Sequence, residues 1–217
     1  MDLMYEFRNL WVALGCQGDY AVEWGARVTS YLQPWRHYHT LGHIYHMLRE
    51  LKPLVKLMER PDEVLWAAVD HDVVLVPARK GVPVTISEVQ SAFFAIESLR
   101  VAGVGHETRG RIALKIMATD HKQRHMDGDT KYLVDADMAI LGQPWRVYLQ
   151  NSQDVMQEYV DCGVSRPAFY AGRQDFLRSL DSRHIYHTTH FQELYEQVAH
   201  ENIGREIQML IERLQPI

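Results

Sequence analysis

Apolar residues recur at three- and four-residue steps from the start of the chain: Leu3, Phe7, Leu10, Trp11 and Leu14 share one helical stripe. Gly15 and Gly18 interrupt it. Asp19 is placed to cap a second helix that runs to about Leu32 and ends at Pro34. A third is predicted from about Tyr38 to Leu51, with Pro53 breaking or restarting it. In "RPDEVLWAAVDHDVV" (60–74), Pro61 takes a favoured first-turn position with acidic residues beside it. "LVPARKGVPVT" (75–85) carries two prolines and a glycine and reads as a loop. Thr85 and Glu88 fit a capping box ahead of "VQSAFFAIESLRVAG". Further helices are predicted at about 106–120, 130–141, 144–161, 167–181 and 188–213, with "HMDGDT" a polar turn between two of them. "VVLVP" is the one short β-branched run, and it sits at the end of a helical pattern. No repeat or low-complexity segment breaks the series. The expected fold is all-α: one domain over residues 1–217, a bundle of eight to ten helices.

Composition adds exclusions. Of 217 residues, 47% are hydrophobic and 24% charged, an ordinary globular balance able to bury a core. The net charge of -5 argues against a nucleic-acid polymer as partner, yet leaves room for a small phosphorylated substrate held by a few local cations. Cys16 and Cys162 stand far apart in no metal-binding spacing, which fits a reducing compartment. The opening "MDLMYEFRNLWVALG" lacks a basic n-region, and no run approaches the ~20 apolar residues of a membrane span. A cytoplasmic protein without a membrane partner is expected.

Histidine is over-used: the chain has 12, against 6 Phe and 5 Trp. Four of them (His37, His39, His43, His46) fall in "RHYHTLGHIYH", residues 36–46. On a helix, His39 and His43 would share a face and could hold a transition metal or meet an anion; surface or interface histidines are the alternative. His71 and Asp72 form a doublet inside an apolar helix, where a carboxylate requires a cation or hydrogen bonds; a purely structural His–Asp pair is the alternative. In "YLVDADMAILG", Asp135 and Asp137 point to different sides of a helix, so one of them can be a cap or a surface charge. The His-Glu-x-x-His spacing and a glycine-rich phosphate loop are both absent, which excludes that class of zinc hydrolase and a P-loop enzyme.

His39, then His71–Asp72, then Asp137, in that order and spacing, resembles the HD superfamily of metal-dependent phosphohydrolases. "RHYHTLGHI", "ATDH", "LVDADMAILG", "YAGRQDFL" and "AHENIGREI" resemble, in order, a family of predicted HD phosphohydrolases of this length, over residues 30 to 210 or so. The resemblance implies that His39, His71, Asp72 and Asp137 hold a divalent ion. Two imidazoles and two carboxylates suit Mn, Fe, Co, Ni or Zn, with Mg a further candidate. Such an ion would polarise a phosphoryl oxygen and activate a water, cleaving a phosphate ester or anhydride of a small substrate, foremost a nucleotide. By the same resemblance His43 is a second-metal or phosphate ligand, and His121 a second-metal ligand or general acid. Asp72 or Glu88 would orient or deprotonate the water. Arg36, Lys122 and Arg173 are candidate phosphate cations, and Tyr170 a base-stacking or core residue. Trp24, Trp35, Trp66 and Tyr148 read as core. The family's aspartate-asparagine-glutamate run is reduced here to Glu88, preceded by Ile86 and Ser87, at the expected pocket edge. A homodimer is compatible with such a domain. Two other readings stand: a non-catalytic nucleotide- or metal-binding regulator, and a di-iron HD-type oxygenase.

Overall fold

Short polar side chains start the first three helices. In a computed structural model, which describes residues 1–76, 86–121, 126, 128–181 and 183–214, Asp2 accepts from the Met4 and Tyr5 amides and opens α1 (Leu3–Ala13). Asp19 accepts from the Ala21 amide at 2.8 Å and opens α2 (Tyr20–Tyr31). Thr40 does the same for α3 (Leu41–Leu51). Each satisfies an amide that the first turn leaves without a helical acceptor. Between α1 and α2 the chain turns through Gly15 and Gly18, at φ +68° and +96°, where a side chain would be strained.

Pro61 opens α4 (Pro61–Asp70), whose entry is held from outside: Asp129 accepts the Glu59 and Arg60 amides at 3.0 and 2.8 Å. Then follow α5 (Ile86–Val101), α6 (His106–Met117), α7 (Gly128–Met138), α8 (Trp145–Asp161), α9 (Arg166–Asp181) and α10 (Thr189–Leu214). The described residues thus hold ten α-helices and no strand, as the apolar periodicity predicts. None of these helices is long and apolar enough to cross a membrane.

α4 is the axis of the fold. It packs against α1, α3, α5, α6 and α7, and every residue from Glu63 to Asp70 is buried, so it has no solvent face. Around Trp66 gather Phe7 at 5.1 Å and Trp11 at 6.3 Å between ring centres, with Trp24 behind Phe7. Into this aromatic cluster α2 sends Arg27, fully buried. Its guanidinium lies against the faces of Phe7, Trp66 and Phe94 and grips Asp70 with two bonds of 2.7 and 2.9 Å. Trp66 Nε1 donates to the same carboxylate at 2.8 Å.

Three local departures from the sequence-based expectation matter for the site. α4 stops at Asp70, so His71 and Asp72 follow the helix end instead of lying inside it. α3 begins at Leu41, because Thr40 caps it there; His39 is therefore outside the helix, and its relation to His43 is not that of two residues one turn apart. α6 ends at Met117, and a 3₁₀ turn (Ala118–Asp120) carries the chain into His121, at φ +56°. The Thr85 cap and Lys122 lie outside the described residues.

Removing Arg27 would strand the Asp70 carboxylate in the core. Arg27→Ala is expected to cost ~3–5 kcal/mol of unfolding free energy, the usual penalty for breaking a buried ion pair. Urea titration of wild type and variant reads this directly, and a loss below about 1 kcal/mol would mean the pair does not anchor α4.

Candidate metal centre

The end of α4, the first turn of α3 and the last turn of α7 converge on one point. His43 Nε2 lies 3.2 Å from His71 Nε2 and 3.1 Å from Asp137 Oδ1. His71 Nε2 is 2.9 Å from Asp72 Oδ2 and 3.6 Å from Asp137 Oδ1. His43 Nε2 is 3.8 Å from Asp72 Oδ2, and His39 Nε2 reaches the same oxygen at 3.9 Å. His43, His71 and Asp137 form the tightest group, with Asp72 against it and His39 at the edge. The sequence reading put His39 in the primary ligand set and His43 in a secondary role; the geometry gives His43 the more central position, because it lies inside α3's first turn and His39 before it.

The hydrogen bonds fix which nitrogens face the centre. His71 Nδ1 lies 3.0 Å from the Ala68 carbonyl, which can only accept, so Nδ1 carries the proton and Nε2 presents a lone pair. His39 Nδ1 sits 2.6 Å from Glu158 Oε2, with the same consequence for its Nε2. Lone pairs facing carboxylate oxygens in a buried setting repel unless something positive lies between them. Without a metal that role falls to protons. Burial alone would lower the His71 and His39 pKa values, but Asp72 leads a set of acidic neighbours that raises both, His71 well above its usual range. Burial likewise pushes Asp72 and Asp137 up, and the histidines overcome it, holding both carboxyls below the ordinary range.

A divalent ion fits the same place. Donors at ~2.1 Å from an ion stand about 3.0 Å apart at octahedral angles and about 3.4 Å apart at tetrahedral ones. The donor separations among His43, His71 and Asp137 are 3.1, 3.2 and 3.6 Å, close to that interval. His43, His71 and Asp137 could therefore hold a metal ion there.

His121 extends the centre. Its left-handed backbone, uncommon for a side-chain-bearing residue, turns Nε2 onto Asp137 Oδ2 at 3.0 Å. Asp137 therefore meets His43 and His71 through one oxygen and His121 through the other. His121 Nδ1 and Glu88 Oε2 are buried with no hydrogen-bond partner among the described residues. Burial, reinforced by Asp72 and Asp120, raises the Glu88 carboxyl above its ordinary value. Asp135, the other aspartate of "DAD", points away and caps the segment before α10, accepting from the His187 and Thr188 amides.

Two residues hold the loop that carries His39. Arg36, expected at phosphate, is instead a brace: it donates to the carbonyls of His39, Asp72 and Val73 and to Gln33 Oε1. It is buried, its guanidinium spends three hydrogen bonds on backbone carbonyls and one on Gln33, and it does not line the cleft, which removes it from the substrate-binding set. Glu158, which the sequence reading missed, does more. Its Oε1 accepts the amides of His37, Tyr38 and His39, each at 2.8 Å, while Oε2 takes His39 Nδ1–H. Burial raises this carboxyl, and the His39 bond outweighs it, leaving the group ionised below its usual range. The available signal was its place on the stripe Tyr148, Asn151, Val155, Glu158 of α8.

Above the centre opens a cleft of about 590 Å³. His39, Asp72, Asp137, His121 and Glu88 line one end, and α8 and α9 form the far wall. Arg173 lines it as expected, with Nε and Nη2 each 3.2 Å from the Glu206 carboxylate. Tyr170 does not: it packs beside Phe169 and beneath Arg213, in a separate crevice. Trp24, Trp66 and Tyr148 are buried as expected, whereas Trp35 is half-buried and faces the cleft. His37 pairs with Asp161 at 2.8 Å, and His46 sits beside Arg49 with Nε2 buried and unpartnered among the described residues. Compared with models of protein families, with curated proteins and with solved structures, the chain matches none.

Glu158→Gln is expected to weaken manganese or cobalt binding by about 10–100-fold, the usual effect of losing a carboxylate behind a ligand imidazole. Calorimetric titration of the metal-free protein measures it, and an unchanged affinity would contradict a role for His39 at the centre. A second expectation concerns His46, whose pKa burial lowers to about 4. The folded form keeps this ring neutral while the unfolded chain takes up a proton below ~6.5. Stability is therefore lost as pH falls from about 6.5 towards about 4. His46→Leu should lose less over that window in matched denaturant titrations; parallel curves would refute the assignment.

Proposed function

We propose that the chain is a metal-dependent phosphohydrolase of HD type, cleaving a phosphate ester or anhydride bond of a small phosphorylated substrate. The observation that carries this reading is the cluster of His43, His71 and Asp137, whose donor atoms lie close enough to share one ion, with Asp72 2.9 Å from His71 and both Asp72 and Asp137 lining the cleft. His39 borders the set, oriented by Glu158. A bound ion would supply Lewis acidity and a water of lowered pKa.

The chain's own groups divide the remaining work. Asp72 and Asp137 hold their negative charge against burial and so compensate the ion. Glu88, kept towards its protonated form beside the centre, is placed to take or give a proton during turnover. His121, held against Asp137 through Nε2, lines the cleft and can exchange a proton with a leaving oxygen. Arg173 presents the positive charge on the opposite wall that offsets charge developing on the phosphoryl group.

A second reading draws on one observation. Asp137 reaches two sets of imidazoles through its two oxygens, as a carboxylate bridging two ions would. This suits a di-iron HD-type oxygenase, which colour and iron content of the purified protein would reveal.

The test is phosphate release from nucleoside mono-, di- and triphosphates and simple esters with Mn, Co, Ni, Zn, Mg or Fe. The control is the His71→Ala/Asp72→Asn protein. Metal-dependent release is expected, falling by at least about 100-fold in the control, the scale on which lost transition-state stabilisation registers. Retained metal binding with no release from any substrate would overturn the phosphohydrolase reading and leave a sensor.

A further inference from the structure

Beyond the metal centre the cleft is neither small nor polar. Trp35, Leu75 and Val76 line it on one side, and Val155, Phe169 and Phe176 on the other. Its volume, about 590 Å³, is that of pockets that enclose a whole organic molecule. An exposed apolar wall of this kind gains nothing from a bare phosphate, which needs donors and positive charge. It gains from a ligand that covers it.

The charges point the same way. Among the described lining residues, Asp72, Glu88, Asp120, Asp137 and Glu158 carry carboxyl groups. Facing them is Arg173, and its guanidinium is already bridged through two nitrogens to Glu206. Burial would lower Arg173's affinity for its proton and Glu206 restores it, so the cation persists, but largely compensated by its own partner. Among the described residues, such a field accommodates one phosphoryl group next to a divalent ion. It opposes a chain of phosphates, each bringing further negative charge towards carboxylates.

We propose that the ligand of this cleft is a phosphate monoester with an apolar or aromatic body, a single phosphoryl group at the metal centre and the body seated between Trp35 and Phe176. This rests on the phosphohydrolase reading for the position of the phosphoryl group, and adds the class of molecule that carries it. The hydrolysis it implies is balanced by water alone: the phosphorus–oxygen bond to the body breaks, a bond to the water oxygen forms, and the water's proton passes to the leaving alkoxide or phenoxide.

The test has a binding arm and a turnover arm, both on the full chain loaded with manganese. In calorimetry, 1-naphthylmethylphosphonate and methylphosphonate share the headgroup and differ in the body. The aromatic ligand is expected to bind at least about tenfold tighter with a negative heat-capacity change, the mark of apolar burial. Leu75→Ser and Val155→Ser should each shrink that ratio while leaving methylphosphonate binding as it was; two variants guard against one that folds badly. In turnover at fixed free manganese, 1-naphthyl phosphate should exceed 2-glycerophosphate and ATP in kcat/KM. Equal phosphonate affinities, or a preference for glycerophosphate or ATP, would overturn the proposal while leaving phosphohydrolase activity standing. Tight, metal-dependent binding of the naphthyl phosphonate with no turnover of any ester would uphold the ligand class and defeat the phosphohydrolase reading instead.

Discussion

Three consecutive residues at the end of α4 govern the arrangement. Asp70 turns inward and is seized by Arg27 and Trp66; His71 and Asp72 follow it directly, His71 meeting His43 and Asp137 and Asp72 lining the cleft. The buried pair thus fixes the angle at which the helix ends, and with it the direction of both donors. Helix ends leave carbonyls without partners. Here Arg36 takes two carbonyls just beyond the end, those of Asp72 and Val73, and with the same guanidinium holds the His39 carbonyl. A cation at a helix C-terminus is electrostatically favourable, and this one also joins two parts of the site distant in sequence.

The cost of assembling the centre is electrostatic. Imidazole lone pairs and carboxylates are brought within 2.9 to 3.8 Å of one another in a buried setting. The raised histidine and depressed aspartate pKa values express that crowding, and the same crowding means that metal and protons compete for one set of lone pairs. The backing groups, Glu158 behind His39 and the Ala68 carbonyl behind His71, choose the tautomers that leave those lone pairs facing inward. A rigid core and a repulsive centre are therefore complementary: the first holds in place what the second would disperse.

The helices were legible because their apolar residues recur at helical steps and two of their starts carry Asp19 and Pro61, residues whose local chemistry is plain; the Asp2 and Thr40 caps were not read. His43, His71, Asp72, Asp137, His121, Glu88 and Arg173 were all singled out in the sequence and all border the centre or its cleft. What failed did so for identifiable reasons. The spacing of His39 and His43 suggested a helical pair, but the Thr40 cap starts the helix at Leu41 and the His39 amide, ahead of it, goes to Glu158. An arginine next to a histidine motif looks the same whether it grips phosphate or backbone, and Arg36 grips backbone. Tyr170 and Phe169 are neighbours on α9, and a shift of one position on a helix decides which of them faces the cleft. Glu158 lies on a stripe of α8 that the sequence does show, but its partner, more than a hundred residues away, is not encoded by that stripe.

The account turns on where a metal goes. Crystals grown with manganese and measured at a wavelength where it scatters anomalously locate it without reference to any assay. A peak within coordination distance of His43 Nε2, His71 Nε2 and the Asp72 and Asp137 carboxylates is the predicted result. A protein saturated with manganese whose peaks lie only at surface carboxylates, with that point empty, would contradict it.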